Sequence, residues 1–170
     1  MNVFAAVLQS LVALAFLSIP LVRARHGAHA MAAAEAELTR QGVRPSVLTE
    51  NGMRFDAGGH ETWAPVTIAA AMLTGAGANL AGVSWAGPVT WTLTVAVVLV
   101  NAAILHSNLT AVRSVTAAFA RKGGELARID VRGLLTVAEN AFPTWVRILQ
   151  NARHAVVFGG ALGALALIAL

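Results

Sequence analysis

The sequence predicts an all-α membrane protein with four transmembrane helices and two polar segments on the cytoplasmic side. Three observations carry this expectation. Four uncharged apolar runs occur, at 3–22, 63–84, 88–107 and 155–170. Charged residues make up only 12% of the chain, against about 25% in soluble domains. Every charged side chain falls in one of two segments, 23–62 or 108–154. A chain of 170 residues is read as a single domain, here one four-helix membrane domain over 1–170.

The run at 3–22 is long enough for about 30 Å of helix, the thickness of a bilayer core. A secretory signal peptide is the rival reading, because Ala28-His29-Ala30 has a small-x-small pattern. Signal peptides carry their positive charge ahead of the apolar core, whereas Arg23 and Arg25 follow it. A membrane span is therefore expected.

In the first polar segment, 28–41 reads as a short helix stopped by Gly42. Pro45 calls for extended chain before it. Asn51-Gly52 lies between short apolar-bearing flanks and suits the tight turn of a small β-hairpin, with an irregular turn as the equal alternative. Gly58-Gly59 reads as a hinge into the second span. Ala86-Gly87-Pro88 should form the tight turn of an antiparallel hairpin between the second and third spans.

Beyond the third span, the helix should run on to Arg121, and Gly123-Gly124 should break it. Residues 125–140 interleave Leu126, Ile129, Leu134, Leu135 and Val137 with charges. This reads either as an amphipathic helix lying on the membrane interface or as one packed on the other polar segment. Pro143 suits the first turn of a new helix starting near Thr144. The fourth run is short, so that preceding turn and a snorkelling Arg153 would have to extend it.

Charge placement sets the expected orientation. Charges at bilayer depth are costly, about 2.5–3.5 kcal/mol on insertion scales, and basic loops stay in the cytoplasm. Both polar segments are therefore expected inside and both termini outside. Trp63 and Trp145 then mark the inner interface, and Trp85 and Trp91 the outer one. Lys122 is the only lysine among twelve basic residues. With abundant Ala and Gly, this is the usage of a GC-rich bacterial genome, and the expected location is the bacterial plasma (inner) membrane.

Small residues recur on the second span at Ala70, Thr74, Ala78 and Gly82, with Ala71, Gly75 and Asn79 beside them. On the fourth span they recur at Ala155, Gly159 and Gly163. Small faces let helices approach closely. Packing inside the bundle is the favoured reading, and docking of another subunit or a lipid the second. The polar residues within the spans are all neutral, including Gln9, Thr74, Asn79, Thr90, Thr94 and Asn101. Ion and proton pathways rely on ionisable groups at depth, so an ion pump is disfavoured. Asn79 and Asn101 are expected to bond across the helical hairpin.

The histidines (His26, His29, His60, His106 and His154) all fall at the inner interface under this topology. His106 and His154 are the candidate cofactor ligands, as for haem, and His60 with Asp56 the candidate metal ligands. The close ligand spacings typical of such sites are missing, so haem or metal is not the favoured reading. The chain has no cysteine, P-loop, dinucleotide-binding glycine pattern or serine-hydrolase elbow. Its basic loops lack the aromatic interleaving of nucleic-acid binders. They fit anionic lipid instead.

The expected partners are the lipid bilayer and other membrane subunits, with no nucleic acid. The leading expectation for function is an accessory or structural subunit of a bacterial plasma-membrane complex. The alternatives are a small membrane enzyme or redox protein using the interfacial histidines, and a small transporter. The topology is testable because the chain lacks cysteine. A single cysteine at position 50 should be labelled only from the cytoplasmic side and one at position 87 only from outside; labelling of position 50 from outside would overturn the topology.

Overall fold

A computed structural model describes the backbone of residues 2–56 and 58–169, and the side chains of 3–56, 58–59 and 62–163. The helices in order are α1 (Asn2–Arg40), α2 (Val47–Glu50), α3 (His60–Ala81), α4 (Ala86–Lys122), α5 (Val131–Asn140) and α6 (Thr144–Ala169). A 3-10 turn over Leu126–Arg128 precedes α5. The described residues contain no strand. Three helices, α1, α3 and α4, are long and apolar enough to cross a membrane. Among the described residues α6 does not join them. Its first turns carry Arg147, Arg153 and His154, and much of the expected span at 155–170 lies beyond the described side chains.

Several expectations are corrected. The first helix does not restart at residue 28; α1 runs unbroken from Asn2 to Arg40. Pro20 costs it a backbone hydrogen bond without ending it. Gly27 is kept small by packing, because a Cβ there would collide with Phe55 O and Asp56 Cα.

The β-hairpin at 47–55 is absent, and α2 occupies its first half. A two-residue hairpin turn of that type needs positive φ at both central positions, but Asn51 has φ −103°. Only Gly52 is left-handed, at φ 70°. There it closes α2, with Gly52 N donating to Thr49 O and Met53 N to Leu48 O at 2.8 Å.

The hairpin between the apolar helices turns earlier than expected. Gly82 is left-handed at φ 67° and ends α3. Gly82 N bonds to Asn79 O and Val83 N to Ala78 O, each at 3.3 Å. Ala86-Gly87-Pro88 belongs instead to the first turn of α4, where the missing proline N–H has no helical partner to lose.

The chain forms two compact units. The first comprises Met1–Leu21, Gly59–Leu105 and Arg147–Leu170. Its core joins Val12, Ala13 and Phe16 of α1 with Ala69 and Met72 of α3, Val97 of α4 and Val157 of α6. Gly160 and Gly163 of α6 sit against Leu8, and a Cβ at Gly163 would lie 3.6 Å from Leu8 Cδ1. A Cβ at Gly159 would meet nothing within 4 Å among the described residues. A Cβ at Gly160 or Gly163 would meet Leu8 at ordinary van der Waals distance.

The second unit comprises Val22–Gly58 and His106–Val146. Its core gathers Ala34 and Leu38 of α1, Val43, Val47, Leu48, Phe119 of α4, Ile129, and Val131, Leu134 and Ala138 of α5. The apolar face of α5 is thus covered by protein, the second of its two expected placements. The helix starts at Val131, later than the pattern suggests, because Asp130 caps it by accepting from Gly133 N at 3.1 Å.

Gln41 ties α1 to this cap. Its amide accepts from Asp130 N at 2.8 Å and donates to Asp130 O. Gln41 and Arg40 also donate to Glu37, whose side chain is only 6% exposed. The hydrogen bonds from Arg40 and then Gln41 hold the Glu37 carboxyl down at about 2, from an ordinary 4.5.

A depressed carboxylate pKa stabilises the fold above its ordinary value, and the stabilisation is lost as pH falls toward the folded value. The stability gap between the native chain and Glu37→Gln should therefore be constant above pH 4.5 and shrink steadily from there toward about 2. Thermal unfolding of both proteins across that range would check this; a gap independent of pH would show that the carboxylate charge contributes nothing.

Candidate functional site

The densest polar constellation in the first unit is a seam of three neutral side chains from three helices. Gln9 of α1, Asn79 of α3 and Thr90 of α4 are 1%, 4% and 0% exposed. Asn79 Nδ2 donates to Thr90 Oγ1 at 2.7 Å and to Gln9 Oε1 at 3.0 Å. It also lies 3.0 Å from Gly75 O on its own helix. Gln9 Nε2 donates to Thr90 Oγ1 at 3.2 Å.

Local sequence explains why these groups can meet. The hydroxyl of Thr90 projects from the second turn of α4, close to the short connection from α3, so Asn79 reaches it across the hairpin. Gly75 makes room for Gln9, since a Cβ there would stand 2.8 Å from Gln9 Nε2 and 3.2 Å from Leu93 Cδ1. A buried amide left unpaired costs about 1–3 kcal/mol. The three helices are therefore held in the one register that satisfies all three side chains.

None of these groups changes charge near neutral pH. The seam can orient helices but cannot carry a proton by titration. A small partly open cavity beside it, lined by Gln9, Thr94, Leu8 and Val97 among others, has a volume of 10 Å³, about one water molecule.

Asn101 does not join this seam, contrary to expectation. Fully buried, its Oδ1 lies 3.1 Å from His154 Nδ1 on α6. The expected bond across the hairpin is made by Asn79 with Thr90 instead. Asn101 lies three turns further along α4, too far from the turn to face Asn79.

His154 is engaged with Asn101. His106 is exposed on α4, its carbonyl accepting from Thr110 Oγ1 at 2.8 Å. The His60 side chain lies outside the described residues. Asp56 accepts two bonds from Arg54, at 3.0 and 2.8 Å. That guanidinium holds the Asp56 carboxyl below its usual range. Among the described residues, no group of three His, Asp or Glu side chains is placed to hold a metal ion.

The expected small-residue stripes divide. Gly75, Ala78 and Asn79 are buried, whereas Ala70 and Thr74 are exposed and Gly82 is the exposed helix cap. Missed at the sequence level were the partnership of Gln9 with Asn79, for which polarity within an apolar run is the only signal, and the place of Gly160 beside Leu8.

No protein family matches the chain, and no characterised protein or solved structure is similar to it.

The seam makes a direct prediction. Asn79→Leu and Gln9→Leu should each lower unfolding stability in lipid by about 1–2 kcal/mol. The double variant should lose less than the sum, because both substitutions break the same network. Reversible unfolding in bicelles would measure it, and strict additivity would show that the two side chains act separately.

Proposed function

We propose that this chain is a four-span protein of the bacterial plasma membrane, with both termini outside, acting as an accessory or structural subunit of a membrane complex. The observation that carries this reading is the outward face of α3. Ala70, Thr74, Gly77 and Ala81 are all exposed there, while Ala69, Met72, Ala76 and Asn79 fill the opposite, buried face. Gly77 is open, with nothing within 4 Å of a built Cβ. A glycine inside a helix costs about 1 kcal/mol relative to alanine. Close approach of a partner helix is the gain that would offset that cost. Thr74 Oγ1 donates to Ala70 O at 2.9 Å, so the face presents no unpaired hydroxyl to an apolar neighbour.

The chemistry of the interior supports the same reading. Gln9, Asn79 and Thr90 bond to one another, and no Asp, Glu, Lys or Arg lies in the first three apolar runs. That is the make-up of a scaffold. The exposed Trp63, Trp85, Trp91 and Trp145 suit anchors at the two membrane surfaces.

Mild-detergent extraction from the native membrane, followed by native mass measurement, tests the proposal. The chain should migrate with one or more partner subunits in fixed ratio. Gly77→Leu should release it as a monomer of unchanged helicity. A lone monomer from the native membrane would overturn the reading.

A further inference from the structure

A second feature stands apart from the outward face of α3 and lies wholly within the second unit. The last turns of α4 and the strap after α2 flank an open groove of 230 Å³. Its floor is Val115, Ala118 and Phe119 of α4, and Met53 forms the facing wall. Phe119 is itself anchored in the core at 4% exposure, so the floor is fixed, while Met53 is adaptable.

The rim is polar, formed by Ser114, Asn51 and Lys122. Lys122 Nζ donates to Asn51 Oδ1 at 2.6 Å. Asn51 is oriented for this by its own Nδ2, which donates to Val47 O at 2.8 Å. The ammonium is thus held by a neutral acceptor, and among the described residues it makes no ion pair. No carboxylate lines the groove. Glu125 and Glu50 pair with Arg44.

We infer that this groove binds a small amphipathic monocarboxylate, with its carboxylate on Lys122 and its short apolar tail or ring between Met53 and the α4 floor. An apolar trough with a few convergent polar groups is the usual form of a small-molecule site. The cation, with no acidic group beside it, selects an anion. The volume falls below the roughly 300–1,000 Å³ of sites for drug-sized ligands, so the acid must be small.

The test uses the whole chain in nanodiscs of zwitterionic lipid, with 4-(4-fluorophenyl)butanoate as the probe and fluorine NMR as the readout. Empty nanodiscs correct for partition into lipid. Binding should be saturable. It should weaken about tenfold or more in Lys122→Gln, the size expected for losing a charge-assisted hydrogen bond. It should also disappear in Ala118→Leu, whose added side chain fills the trough, and the uncharged amide of the probe should not compete. The inference is overturned by any of three results: no saturable signal beyond empty nanodiscs, equal binding of the amide, or unchanged binding in either variant with helicity preserved.

Discussion

A polar side chain buried among apolar helices must find its partner inside the protein, because no water is there to take its place. In the first unit this constraint sets the arrangement. Gln9, Asn79 and Thr90 come from three helices, and each satisfies another. Dispersion between aliphatic side chains is nearly indifferent to sliding one helix past the next by a turn. The amide seam is not, because a slip would strand donors and acceptors together. Gly75 belongs to the same arrangement, since the approach of Gln9 leaves no space for a side chain there. Apolar packing around Phe16, Met72 and Val157 then adds area to a register already chosen.

The second unit is organised differently. Its core is an ordinary hydrophobic one, built from Leu38, Leu48, Phe119 and Leu134, and burial of each such side chain contributes about 1.5–3 kcal/mol. Direction comes from helix ends. Glycine caps stop α1 and α2, Asp130 starts α5, and Gln41 reads both backbone groups of Asp130. The ion pairs Arg44–Glu125 and Arg54–Asp56 are largely solvent-facing, so they refine the loops more than they stabilise them. Glu37 is the exception, a buried carboxylate fully engaged by its own helix and Gln41.

Much of the local structure was legible along the chain. Composition and charge sorting pointed to apolar helices separated by polar segments, and Gly42, Gly123 and Pro143 marked the helix boundaries they border in the structure. At Asn51-Gly52 the hairpin, one of two equal readings, failed because the dipeptide serves two purposes. It suits a hairpin turn, and it equally suits a helix end followed by a left-handed glycine, and only the backbone of Asn51 distinguishes them. The hairpin turn was misplaced for a related reason: Ala86-Gly87-Pro88 is turn-like in composition, yet proline is equally at home in the first turn of a helix.

What the sequence determined by itself was therefore one-dimensional: helical type, apolar length, the sorting of charge and the absence of Asp, Glu, Lys and Arg from the first three apolar runs. These depend on residue type and near neighbours, which the linear order displays. The tertiary structure alone decided which small residues on α3 are buried, that Gln9 reaches Asn79 some seventy residues away, and that Asn101 meets His154 and not Asn79. Each of those outcomes depends on helix rotation and register. These are set by long-range pairing and close packing, which no local pattern encodes.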